Sequence, residues 1–207
     1  MADNEYFFLK NVRCSFPHLF KKPIINGKEG KCGSTFLLDP KDADHKAQIK
    51  NISNFMNKVK ANSTLKDVRI PPDKKCLRKG EDTSRTEYDG YWIVSSNSKG
   101  KPIVMAANGK TQITSEEECP IYAGCRVTAK LRIWAQDNKW GKRINADLVA
   151  IQFFADDEPL DGSHVPVEEA MEGFEGVGGG DDDFDLDDEH FDDALANDEI
   201  DSEEFDF

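Results

Sequence analysis

Between Gly124 and Phe154 apolar and polar residues alternate on both sides of a short polar break, a pattern that dictates a β-hairpin. Val127, Ala129, Leu131 and Ile133 share one face of the first strand. Arg126, Thr128, Lys130, Arg132 and Trp134 take the other, because successive strand side chains point to opposite sides. A turn centred on Asn138-Lys139 sets Ile144, Ala146 and Leu148 of the returning strand against the apolar row. That register predicts that Trp134 faces Arg143, Arg132 faces Asn145 and Lys130 faces Asp147. One side of the hairpin is then core; the outer side carries cations and an indole.

The rest of residues 1–154 supplies the partners such a hairpin needs. Residues 5–15 read as a first strand that stops at Phe16-Pro17, 34–38 as a second, and 91–96 and 102–105 as two more around the turn Asn97-Ser98-Lys99-Gly100. From Lys41 to Ala61, Ile49, Ile52, Phe55, Met56 and Val59 recur at helical spacing, with Asp42 and Asp44 at the positive end of the predicted helix. Residues 62–90 are polar, contain Pro71-Pro72 and are expected to form a long loop. One of Tyr91 and Trp92 must face inward in its strand.

Composition changes after Phe154. The last 53 residues hold 23 of the 40 acidic residues and none of the 27 basic ones, so residues 1–154 carry a net charge of +10 and residues 155–207 carry −23. Gly176-Val177-Gly178-Gly179-Gly180 followed by Asp181-Asp182-Asp183 cannot bury enough apolar surface to order itself. The expected organisation is one domain over 1–154 and a disordered acidic tail over 155–207. Isolated aromatics recur in that tail, ending in Phe205-Asp206-Phe207, and the expectation is that these terminal residues anchor in a partner's pocket while the carboxylates steer toward basic surfaces. The same tail can compete for the basic body, a competition that salt relaxes.

Binding an unpaired strand takes cations that track phosphates and exposed rings on which bases stack. The outer hairpin face offers both: Lys130, Arg132, Lys142 and Arg143 to neutralise phosphates, Trp134 or Trp140 to stack, with Lys139 and Asn145 beside them. Lys99 and Lys101 at a turn, Arg78 and Lys79 in the long loop, and Trp92 are weaker additions to this DNA-binding set. Catalysis has no comparable support. The four histidines, His18, His45, His164 and His190, stand far apart, and no phosphate loop, nucleophile elbow or dinucleotide fingerprint occurs. No enzyme activity, metal or cofactor is expected. The five cysteines form no Cys-x-x-Cys pair and are expected to be reduced structural thiols. With an acidic start and no apolar stretch long enough to span a bilayer, the expected location is cytoplasmic.

The chain resembles a family of tailed-phage single-stranded DNA-binding proteins built on an OB fold. The resemblance is carried by Val12-Arg13-Cys14-Ser15-Phe16-Pro17-His18-Leu19-Phe20, Gly100-Lys101-Pro102-Ile103-Val104, Tyr122-Ala123-Gly124-Cys125 and, most specifically, Trp134-Ala135-Gln136-Asp137-Asn138-Lys139-Trp140-Gly141-Lys142-Arg143-Ile144-Asn145. It implies a mainly β OB-fold barrel with one inserted amphipathic helix; strand count and alternation alone leave a generic α+β or all-β domain open. It further implies coating of unpaired DNA without sequence preference during replication or recombination, with the tail recruiting DNA polymerase and helicase-primase and guarding the groove. A homodimer stays open. The competing reading is a DNA-mimic interaction protein that acts through its tail and ignores oligonucleotides.

Overall fold

Strand β1, Tyr6–His18, bends twice, and those bends let one strand belong to two sides of a barrel. Its ladder with β9 breaks between Leu9 and Val12 and its ladder with β4 between Ser15 and His18. Asn11 and Phe16, at φ 53° and 49°, sit in these breaks in the left-handed region. The computed structural model describes residues 6–160. After β1 come β2 (Ile24–Ile25) and β3 (Lys28–Glu29), a small separate hairpin, then β4 (Gly33–Leu38) and helix α1 (Ala43–Ala61). β5 (Leu77–Lys79), β6 (Trp92–Asn97), β7 (Ile103–Met105), β8 (Gln112–Ile113), β9 (Arg126–Asn138) and β10 (Gly141–Ala155) complete the order.

Five of these strands close a ring. β6, β4, β1, β9 and β10 pair in succession, and β10 returns to β6 through the parallel pair Asp147 and Asn97. Numbered along the chain, the five run 1-2-3-5-4 around the ring, an OB-type Greek-key barrel with one helix, as the family resemblance implies. Inside, Leu9, Val12, Phe36, Val94, Val127, Leu131, Leu148 and Ile151 are buried. Helix α1 closes one end with the expected stripe: Ile52 and Met56 enter the core, and the Phe55 ring lies 5.7 Å from that of Phe7. Asp42 caps it, its Oδ1 accepting from His45 N at 2.9 Å. Buried His45 ties the helix to the first bend of β1: its Nδ1 accepts from Asp39 N and its Nε2 donates to the Asn11 carbonyl at 2.9 Å. Among the described residues no helix is long and apolar enough to cross a membrane.

The segment 62–90 departs from the expected structureless loop. Three 3-10 turns, Pro72–Lys74, Gly80–Asp82 and Thr86–Tyr88, bracket strand β5, which wedges into the seam between β6 and β10. Beyond the Asp147 and Asn97 pair the two barrel strands diverge, and Cys76 bridges them: its N–H donates to the Ile144 carbonyl at 2.8 Å and its carbonyl accepts from Ser95 N at 3.0 Å. The buried Leu77 side chain secures the wedge. One apolar residue in a polar run is too weak a pattern to announce a strand.

β10 runs one residue past the expected boundary at Phe154, and the chain stays packed to Leu160. Asp157 Oδ2 accepts from Arg126 Nε at 2.7 Å and lies 3.7 Å from Arg13 Nε. The Tyr122 hydroxyl donates to the Asp157 carbonyl at 2.8 Å. A single carboxylate just past the barrel, Asp157, thus sits against two body arginines.

Candidate nucleic-acid interface

The β9–β10 hairpin is the longest ladder of the barrel, and its outer face carries the residues the sequence singles out. Its register corrects the expected pairing by two residues. Trp134 faces Asn145, Arg132 faces Asp147, Lys130 faces Ala150 and Arg143 faces Gln136, because the turn is centred on Lys139-Trp140 rather than Asn138-Lys139. Asn138 pairs directly with Gly141, whose φ of 108° restarts the return strand at low cost. A shift of two keeps every side chain on its face, so Ile144, Ala146 and Leu148 still back the apolar row.

On that outer face, Asp147 gathers two of the candidates. Its Oδ2 accepts from Arg132 at 2.5 Å and its Oδ1 from Trp134 Nε1 at 3.0 Å, which fixes the indole in a half-buried, oriented position. Asn145 Nδ2 donates to Gln136 Oε1 at 3.0 Å, leaving Arg143 beside them at the margin. Trp140 at the tip is 74% exposed, with Lys139 Nζ 5.3 Å from its ring centre. Lys142 and Arg143, adjacent in the strand, project to opposite faces.

The remaining candidates divide. Lys99 lies at the edge of the same face, sharing a hollow of about 210 Å³ with Tyr6, Arg132 and Asp147. Lys101 is exposed in the connection to β7. Trp92 packs against the main core and lines a pocket with Met56, Pro72, Lys75 and Ile144, while Tyr91 packs on the opposite side with Leu37, Tyr88 and Ile93. Lys79 is exposed at the end of β5, paired in register with Trp92. Phe205, Asp206 and Phe207 lie outside the described residues. Among the described residues, no cluster of three His, Cys, Asp or Glu could hold a metal ion.

Sequence reasoning missed a second surface. Between the β2–β3 hairpin and the 78–91 segment opens a cleft of about 840 Å³, floored by Thr35 of β4 and its partner Ser95 of β6. Lys31, Arg78 and Arg85 line it against one carboxylate, Asp82, with Ile24, Ile25 and Phe16 as apolar walls. Phe16 is 42% exposed in its left-handed conformation, and the Arg85 guanidinium sits 4.1 Å above its ring. A bulky residue held at positive φ is strained, and such strain concentrates at binding sites. Arg78 donates to Ser95 Oγ at 3.2 Å, but its Nε is buried with no hydrogen-bond partner among the described residues. The cleft is built from residues 16–35 and 78–97, two stretches far apart in sequence, and of its cations only Arg78 stands among the sequence candidates. The expected stop at Phe16-Pro17 is instead a bend within β1, which runs on to His18.

Cleft and hairpin are parts of one surface. A row of neighbouring residues crosses the barrel from strand to strand: Gly33 pairs with Asn97, Asn97 with Asp147, Asp147 with Arg132 and Arg132 with Tyr6. Gly33 and Asn97 line the cleft; Asp147 and Arg132 belong to the hairpin. Cations, one fixed indole, one exposed indole and a cation-capped phenyl ring therefore lie along a continuous outer path.

Comparison with known proteins identifies the family. Residues 6–187 match the family described as "Enterobacter phage Enc34, ssDNA-binding protein". The protein designated p50 of Acyrthosiphon pisum secondary endosymbiont phage 1 is 30% identical over 163 residues, covering 76% of this chain and 87% of that one. Among solved structures, the single-stranded DNA-binding protein from bacteriophage Enc34 superposes with a TM-score of 0.67 at 31% identity, covering 82% of this chain and 91% of that chain. The same phage protein in complex with ssDNA gives a TM-score of 0.67 at 31% identity, covering 76% and 90% of the respective chains. The chain belongs to the Enc34-type family of phage single-stranded DNA-binding proteins.

Proposed function

We propose that this chain coats unpaired DNA without sequence preference during phage replication or recombination, as a binding protein rather than an enzyme. The observation that carries the reading is the outer path from the Phe16 and Arg85 cleft to the Trp134, Arg132 and Asp147 cluster, which sets ring faces beside cations in a chain whose relative is solved with ssDNA bound. Arg78, Lys31 and Arg143 neutralise phosphates along it, and Trp134, Trp140 and Phe16 take bases. Lys130, Lys139, Asn145, Lys99 and Lys101 flank the path, whereas core-packed Trp92, its register partner Lys79, and Lys142 point to the other side of their strands. Contacts along the path favour any sequence equally. The protein works in the cytoplasm of the infected cell.

The acidic segment supplies the second half of the proposal. Residues 155–207 carry −23 against the +10 body, so the tail competes with DNA for the path, and Phe205, Asp206 and Phe207 dock DNA polymerase or helicase-primase. Asp157 bridging Arg13 and Arg126 is a local precedent for carboxylates engaging body arginines. Titrating labelled single-stranded DNA, duplex DNA and RNA with full-length protein and with a form lacking residues 181–207 tests both halves. Tight, sequence-independent single-strand binding that tightens further at low salt on tail deletion is expected. No oligonucleotide binding by either form would replace the proposal with a DNA mimic acting through its tail.

A further inference from the structure

The outer path does not stop at β9. Strand β1 continues it with Tyr6 and Phe8, which pair in register with Arg132 and Lys130. These two rings are 40% and 48% exposed, while their neighbours Phe7 and Leu9 point inward, Phe7 against Phe55 and Leu9 fully buried. Tyr6 and Phe8 therefore contribute little to the core. Alternating exposed aromatics on a sheet face invite aggregation and need a reason to be there.

Lys130 supplies the reason. Its Nζ sits 4.2 Å from the centre of the Tyr6 ring and 5.6 Å from that of Phe8. A cation held over two rings by their quadrupoles is partly desolvated and poised rather than neutralised. Among the described residues no carboxylate is paired with Lys130, in contrast to Arg132, Arg13 and Arg126, each of which is bound to an aspartate. The rings stand two residues apart on one strand, about 6.6 Å, roughly twice the 3.4 Å rise per nucleotide of a stacked strand. That spacing suits a backbone whose bases are splayed apart. Opposite Lys130 the floor is small Ala150, which leaves the face flat. The hollow beside Tyr6 leads to Lys99.

We propose that Tyr6 and Phe8 form a second base-stacking platform for single-stranded DNA, with Lys130 between them as its phosphate contact. When bases take the ring faces, the Lys130 ammonium moves off them to the backbone between the two nucleotides. The platform lengthens the site, so it serves long strands and leaves short ones unaffected. This inference rests on the single-strand binding proposed above and adds to it a location.

The test compares full-length wild-type protein with the double variant Tyr6→Ala/Phe8→Ala and the conservative Tyr6→Phe/Phe8→Tyr. Each is titrated with oligothymidylates of about 6 and about 30 nucleotides, near the lower end of and beyond the ~4–16 nucleotides that one OB fold occupies. The alanine variant is expected to bind the short strand like wild type and the long strand at least about thirtyfold more weakly, with the conservative variant restoring it, since two stacks, each worth at least about fivefold, are lost. Equal binding of the long strand by wild-type and alanine proteins overturns the platform while leaving single-strand binding intact. Failure of wild type to bind either strand instead removes the reading on which the platform rests. Photocrosslinking of bromodeoxyuridine-substituted strands to wild-type protein gives an answer even if the alanine variant misfolds. Adducts on the peptide containing Tyr6 and Phe8 are expected, and adducts confined to peptides of the hairpin and cleft overturn the platform.

Discussion

Trp134 and Asp147 are diagonal neighbours on the outer face of the β9–β10 hairpin, and the indole Nε1 donates to the carboxylate at 3.0 Å. That carboxylate also holds Arg132, so one aspartate fixes an indole and masks a cation at once. Replacing it with asparagine keeps an acceptor for the indole but releases the arginine. Asp147→Asn is therefore expected to cost about 1 kcal/mol of stability, the scale of a partly exposed charged pair. The same change should tighten single-strand binding and raise the salt slope by up to about 0.7, one additional phosphate contact. Asp147→Ala strands the indole N–H and costs about 1–3 kcal/mol. Urea melts and salt-dependent titrations separate the two effects.

Arg143 and Lys142 are sequence neighbours on opposite faces of β10. Only Arg143 shares the outer side with Trp134 and Asn145. Arg143→Ala is expected to weaken binding about equally for all sequences and flatten log K against log salt by about 0.7, whereas Lys142→Ala changes the slope by much less. Equal slopes for both variants would remove the face assignment.

Phe16 pays for its ring position with a left-handed backbone, φ 49°. Asparagine tolerates that conformation, so Phe16→Asn relieves strain of about 1–2 kcal/mol while losing the stack with Arg85, worth about 0.5–1 kcal/mol. Stability should stay within about 1 kcal/mol of wild type while single-strand affinity falls about fivefold or more, the loss of one base stack. A variant that melts far earlier and binds normally would make Phe16 a purely structural residue.

Three buried thiols give the fold an alkaline limit. Burial pushes Cys14 and Cys76 from 9.0 up to about 12, and Cys125 to about 11. A thiol whose folded value lies above its unfolded one contributes stability that is complete below the unfolded value and lost as pH climbs through the folded one. Urea midpoints should hold steady to about pH 8.5 and then fall, by about 1 kcal/mol per pH unit for each thiol that ionises only on unfolding. Cys76→Ala removes one thiol from this linkage, so its stability should decline less steeply above that pH whatever its starting value.

What was legible in the chain was what repeats. The hairpin alternation fixed the inner and outer faces of β9 and β10, and the spacing of Ile49, Ile52, Phe55, Met56 and Val59 marked α1 to its last residue, Ala61. The hairpin register was offset because nothing local distinguishes Asn138-Lys139 from Lys139-Trp140 as the turn centre until the positive φ of Gly141 is known. β5 escaped notice because three residues have no period, and its strand character comes from Val94 and Ile144 on the neighbours it bridges. The cleft was hidden for a different reason. Phe16 and Lys31 belong to one stretch of sequence and Arg78 and Arg85 to another, and only the folded barrel brings the two together.

Because the first half of β1 pairs with β9 and its second half with β4, the amino end of the barrel waits for a partner more than a hundred residues downstream. Ring closure cannot precede synthesis of β9 and β10, and a growing polypeptide on the ribosome holds an open, aromatic-edged sheet until then. The ring closes, and the outer face of the hairpin is laid beside Tyr6 and Phe8, in the same late step.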